Sequence, residues 1–187
     1  MKILFLGYEN SPLISHIQSL GDSVLVTNDK INTTFIRDRG IEFIVSYGYR
    51  YIIKPDVINA LPNKVVNLHI AFLPWNRGAD PNFWSFVENT PKGVTIHYID
   101  EGMDTGDIIA QEMVSFDEEE TLKSSYDKLQ VTIQELFKKY WPQIKLGTCP
   151  RKKQVGEGTT HYLKDKNELS HLLILGWDTP VKSLVRK

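Results

Sequence analysis

The first 69 residues alternate short apolar runs with stretches of helical period, and this alternation limits the folds open to the chain. Residues 3–6 (Ile-Leu-Phe-Leu) are continuously apolar and end at Gly7, as expected of a strand buried on both faces. A helix is predicted over 12–20, stopped by Gly21, and a second strand over 23–27. The pattern repeats with a short helix at 33–39 ending at Gly40 and a strand at 41–45. It repeats again with a proline-entered helix at 55–61 and a strand at 65–68. Strands separated by helices pair in parallel through crossovers, which gives an α/β, Rossmann-like, mostly parallel sheet flanked by helices.

The second half continues the pattern. A helix is predicted at 82–88 and strands at 94–99 and 108–116. A long helix is predicted at 121–145, where Leu122, Tyr126, Leu129, Ile133, Leu136, Phe137 and Tyr140 recur every three or four residues. Pro142 is expected to end or kink it. After Pro150 the periodicity weakens. Gly156 and Gly158 suggest a loop or hairpin, and a last short helix is predicted at 167–175. Residues 1–150 are therefore expected to form the main domain, and 151–187 an appendage too small to be a domain of its own.

A formal net charge of −1 disfavours a general binder of nucleic acid, and Arg151-Lys152-Lys153 reads as a solvated loop. The single cysteine, Cys149, excludes an internal disulfide and suits a reducing, cytoplasmic setting. No segment approaches membrane-spanning length. The apolar residues 172–175 with Trp177 fit either a homodimer interface or a lid on the core.

In open parallel sheets ligands bind at the carboxyl ends of the strands. Gly7, the segment 46–50 and Asn67-Leu68-His69 all fall at such ends. Only one glycine follows the first strand, so there is no Gly-x-Gly-x-x-Gly phosphate cradle for a dinucleotide. Asn67 and His69 are two apart, which on a strand puts both side chains on one face. In isolation such a pair is more often a satisfied polar pair at a strand end. Asp100 and Asp104 lie in a glycine-rich turn, where turn chemistry alone would explain them. Together, an amide, an imidazole and a carboxylate can polarise a carbonyl, stabilise an oxyanion and move a proton. His69, His97, Asp100 and Asp104 lack metal-ligand spacing, so no metal site is expected. His97 reads as a core residue or a supporting one, and His16, His161 and His171 carry no legible role. Tyr47, Tyr49 and Tyr51 alternate and suit strand packing or a pocket for a flat heterocycle. Trp75 and Trp84 suit the core or a substrate platform equally.

The run Asn67-Leu68-His69-Ile70-Ala71-Phe72-Leu73-Pro74-Trp75-Asn76-Arg77-Gly78, followed by Asp100-Glu101-Gly102-Met103-Asp104-Thr105-Gly106, resembles the folate-dependent formyltransferase family. The resemblance is strongest from about Val45 to Gln111. It implies 10-formyltetrahydrofolate as co-substrate, no metal, and Asn67, His69 and Asp104 as the catalytic set. It implies that Arg50, Tyr51 and Ile52, with Tyr98, Ile99, Asp100 and Asp104, bind the folate. Among relatives, the sugar N-formyltransferases are the most similar, through the segments 46–53, 75–82 and 176–181. The partners implied are therefore folate and a nucleotide-linked amino deoxysugar, with Trp75, Arg77, Gly78, Asp80 and Asn82 on the sugar side. Arg77 is the one cation of that loop, with pairing to Asp80 as its structural alternative. Three departures accompany the resemblance. The glycine-rich phosphate loop of the glycinamide ribonucleotide enzyme is missing after the first strand. The tRNA-binding second domain of the methionyl-tRNA enzyme has no counterpart. The part before Asn67 is short for the family, as if the N-terminal half were trimmed at its nucleotide end. A hydrolase releasing formate from the same folate, and a silent folate- or sugar-binding module, are the alternatives to transfer.

Overall fold

The computed structural model describes residues 1–185. One sheet contains β1 (Lys2–Gly7), β2 (Ser23–Thr27), β3 (Phe43–Tyr47), β4 (Val65–His69), β6 (Gly93–Tyr98) and β7 (Ile108–Met113). Two short strands, β5 (Arg77–Gly78) and β8 (Thr160–His161), pair separately and in parallel. The main sheet runs β2-β1-β3-β4-β6-β7. Its first four strands are parallel, joined by α1 (Pro12–Ser19), α2 (Thr33–Asp38) and α3 (Pro55–Ala60).

The second half does not continue this pattern. β4 pairs antiparallel with β6, and β6 antiparallel with β7. The link from β6 to β7 carries no helix, and without a crossover a chain can only turn back beside itself. The helix between β4 and β6, α4 (Pro81–Val87), packs in a cluster of its own with Leu122, Leu169, Val181 and Leu184 rather than on the sheet. That cluster joins the chain after Pro150 to the body of the fold.

β1 shows why the sheet is buried twice. Ile3 and Phe5 face α1 and α5 (Leu122–Leu146), among Ile17, Ile133 and Trp141. Leu4 and Leu6 face α2 and α3, among Ile36 and Val57. A period of two on a strand thus feeds two cores. Thr121 begins α5 with a capping box to Ser124. The helix runs through Pro142 to Leu146 instead of ending there. Phe137, Trp141 and Ile144 are buried on both sides of the proline, and Trp141 is held between Phe43 and Phe137 at ring distances of 5.3 and 5.1 Å. Packing of this size outweighs one missing amide. Among the described residues no helix is long and apolar enough to cross a membrane.

Candidate active site

Asn67 and His69 project from the carboxyl end of β4, and Asp104 returns to them from the turn after β6. Asp104 adopts a left-handed φ of 53° in that turn, a state aspartate tolerates better than most residues. The turn is built by Asp100, whose Oδ1 accepts from the Gly102 amide at 3.1 Å and from Thr105 Oγ1 at 2.6 Å. Turn chemistry is therefore the role of Asp100, whereas Asp104 faces the site.

Four groups converge on the Asp104 carboxylate. Oδ1 accepts from Asn67 Nδ2 at 3.2 Å and lies 3.4 Å from His97 Nε2. Oδ2 accepts from the Gly78 amide at 2.8 Å and lies 3.6 Å from His69 Nδ1. Burial pushes the Asp104 carboxyl up. The charge of His69, the hydrogen bond and charge of His97, and the Gly78 amide outweigh it and hold the carboxyl well below the ordinary range. Asp104 is thus a fixed anion and a weak base.

The histidines differ in role. His69 Nε2 donates to the Asn76 carbonyl at 3.0 Å, and Nδ1 faces Asp104, so both ring nitrogens point at oxygen acceptors. A ring protonated on both nitrogens satisfies both partners. His97 Nδ1 donates to the Tyr98 carbonyl at 2.8 Å, and Nε2 lies 3.4 Å from Asp104 Oδ1 and 3.3 Å from Asn67 Nδ2. His97 therefore braces Asn67 and Asp104, a supporting role that its mid-strand position allowed without specifying.

The segment between Lys152 and His161, expected as a loop or hairpin, is tied into the site. Lys152 bridges to Ile108, and β8 pairs with β5. Thr159 Oγ1 accepts from the Asn76 amide at 2.9 Å, fixing the residue whose carbonyl holds His69. Gln154 Nε2 donates to the carbonyls of Asp104 and Gly106 at 2.7 and 3.0 Å, while its Oε1 accepts from Arg77 Nε and Nη2. Two glycines permit this close contact. A Cβ on Gly78 would lie 2.3 Å from the His161 carbonyl oxygen, and one on Gly158 would lie 2.0 Å from that of Pro74. That glycine pair was the only sequence signal available.

The expected substrate set divides. Arg77 is spent on Gln154 and the Glu157 carbonyl rather than on Asp80, whose partner is Lys166. Gly78 serves Asp104. Asn82 is buried and hydrogen-bonded to Ser125 and the Leu122 carbonyl, joining α4 to α5. Trp75 is half-buried, whereas Trp84 belongs to the core and stacks on His161 at 3.9 Å. Asp80 and Asn82 line a cleft of about 260 Å³ that also touches Ile70, the residue after His69.

On the expected folate side, the amides of Tyr98 and Ile99 are committed to Asp107 and Val65. The main-chain groups of Arg50, Tyr51 and Ile52 make no hydrogen bond among the described residues. They follow β3, whose Ser46 pairs with Asn67, so this loop lies at the same edge of the sheet as the catalytic trio. Ile52 is 80% exposed, an uncovered apolar surface beside free peptide groups. Tyr47 is packed in the core and Tyr49 Oη donates to the Asp29 carbonyl, so only Tyr51 of the three tyrosines is left uncovered. Among the described residues no group of His, Cys, Asp and Glu is placed to hold a metal ion.

Gln154 holds the main chain on either side of Thr105 and so fixes where Asp104 sits. Gln154→Ala is expected to lower kcat on the order of tenfold to a hundredfold through misplacement of the carboxylate, with KM unchanged. Steady-state kinetics test this, and an unchanged kcat refutes it.

An amide, an imidazole and a half-buried carboxylate that meet beside an open α/β sheet are the groups acyl transfer calls for. The formyl transferase family model matches residues 22–139, more than half of the chain, and the chain belongs to that family. It is similar to the formyltransferase PseJ of Anoxybacillus kamchatkensis, solved with UDP-4,6-dideoxy-4-formamido-L-AltNAc and tetrahydrofolate. The two share 49% identity with a TM-score of 0.95, over 98% of this chain and 97% of that one. It is also similar to methionyl-tRNA formyltransferase of Pelotomaculum thermopropionicum, at 31% identity over 156 residues, 81% of this chain and 48% of that protein. Phosphoribosylglycinamide formyltransferase of Bacillus subtilis matches at 34% over 110 residues, 58% of this chain and 54% of that protein. The chain thus spans about half the length of these curated relatives.

Proposed function

We propose that this chain transfers the formyl group of 10-formyltetrahydrofolate to the primary amine of a nucleotide-linked amino deoxysugar. The observation that carries the chemistry is the meeting of Asn67, His69 and Asp104 beside a cleft. Likeness to PseJ over nearly the whole chain supports the sugar as acceptor. The exposed loop of Arg50, Tyr51 and Ile52 takes the folate ring.

The neutral amine attacks the formyl carbon. Its lone pair forms the new C–N bond while the carbonyl π electrons move to oxygen. Asn67 and His69 supply donors to that oxyanion. In the ligand-free arrangement their N–H groups rest on Asp104 and Asn76, and they shift to or share with the oxyanion as it forms. Collapse breaks the bond to the folate nitrogen, which takes the electron pair, and the amine proton ends there. Asp104 anchors His69, stabilises its positive charge and helps pass the amine proton toward the folate nitrogen.

The test is a formylation panel with 10-formyltetrahydrofolate and purified protein. Transfer is expected to nucleotide-linked amino deoxysugars, with none to glycinamide ribonucleotide or methionyl-tRNA. Activity on either of those acceptors with none on the sugars overturns the proposal. Formate release without any acceptor points to a hydrolase instead.

A further inference from the structure

The cleft beside Ile70 carries charge in one place. Among its lining residues Lys166 is the cation and Asp80 the anion, 2.8 Å apart. Asp80 occupies the cap position of α4, yet its carboxylate makes no capping hydrogen bond. It holds a left-handed φ of 52° immediately before Pro81, a costly backbone state. The outcome of that strain is a carboxylate turned away from the helix and onto Lys166. The Lys166 stem lies over Phe83, with Nζ 5.5 Å from the ring centroid.

The same cleft has an aromatic wall. Trp177 and Tyr126 both line it, edge-on to one another at 5.2 Å. Trp177 is 53% exposed despite this contact. A half-exposed indole beside an aromatic partner, in a mostly apolar cleft, offers a planar ring a place to pack. A second cleft, of about 360 Å³, shares Tyr126 and lies along Tyr8, Glu9 and Gln130. Its lining holds Glu9 and no cation, so a dianion is repelled there.

Resting on the formyl-transfer proposal, we infer that the cleft of Lys166 and Trp177 seats the nucleoside diphosphate of the acceptor. The base packs against Trp177 and Tyr126, and the diphosphate takes Lys166. Asp80 holds Lys166 in place in the empty protein. A diphosphate brings more negative charge than one carboxylate and draws the ammonium to itself, while a weaker anion does not. Ile70 joins this cleft to His69, so an amine carried on the far side of the diphosphate can reach the catalytic trio.

Titration calorimetry with UDP and with uridine, in the absence of folate, tests this without any turnover. The wild-type protein is expected to bind UDP. Lys166→Gln keeps the stem over Phe83 and should weaken UDP about tenfold or more while leaving uridine unchanged. Lys166→Arg should recover most of the loss. Trp177→Ala should weaken UDP and uridine alike. Asp80→Asn removes a competing anion, so UDP should bind as tightly as before or more tightly. Failure of the wild-type protein to bind UDP overturns the inference. So does equal weakening by Lys166→Gln and Asp80→Asn, which would make the pair a structural strut. The formylation panel reads the catalytic proposal separately. Transfer to amino sugars without UDP binding removes the diphosphate seat alone. Lys166-dependent UDP binding with transfer only to other amines removes the sugar acceptor and leaves the seat.

Discussion

Replacing Asn67 or His69 by alanine is expected to lower formyl transfer by about a hundred- to a thousandfold, the usual loss when one oxyanion donor is removed. Both side chains stand at the end of β4, outside the three apolar clusters that hold the fold together. Removing His69 leaves the Asn76 carbonyl without its donor, a penalty of about 1–3 kcal/mol, which lowers the unfolding midpoint without abolishing folding. Removing Asn67 leaves Asp104 with the Gly78 amide and the two histidines. The proposed mechanism puts both residues on one oxyanion, so the double variant should lose little more than the worse single one. Turnover and thermal unfolding measured on the same preparations decide the matter. An alanine variant with normal transfer would remove that residue from the mechanism.

That Asn67, His69 and Asp104 meet was legible only from their motifs taken together, since each alone reads as a strand-end pair or a turn residue. A period of two puts Asn67 and His69 on one face. A glycine-rich turn brings Asp104 back. The elements of the first half were legible because short continuous apolar runs such as residues 3–6, closed by a glycine, favour doubly buried strands. What escaped depends on contacts between distant residues. Gln154 meets Asp104 across 50 positions and Arg77 across 77, with no periodicity at either end. Arg77 looked like a substrate cation because a sequence cannot show that a glutamine already occupies its guanidinium. The turning back of β6 and β7 was hidden by apolar runs that serve parallel and antiparallel pairing equally. Pro142 suggested a helix end, a local preference that the burial of Trp141 overrides.

Asp104→Asn tests the division of labour within the trio most sharply. The substitution keeps an oxygen for the Gly78 amide and nearly the same shape, and it removes the charge. We expect a loss of at least about a hundredfold, because the charged form of His69 loses its counter-ion just as the oxyanion forms. Stability carries a second signature. The folded-state pKa of Asp104 is depressed, so its contribution is present above the unfolded carboxyl pKa of about 3.9 and is lost as pH falls through the lower folded value. Wild type and variant should therefore differ in unfolding midpoint at neutral pH and converge in acid. A variant with near-normal turnover would reduce Asp104 to a turn residue. Lost turnover with parallel stability curves would mean that its charge serves the site and not the fold.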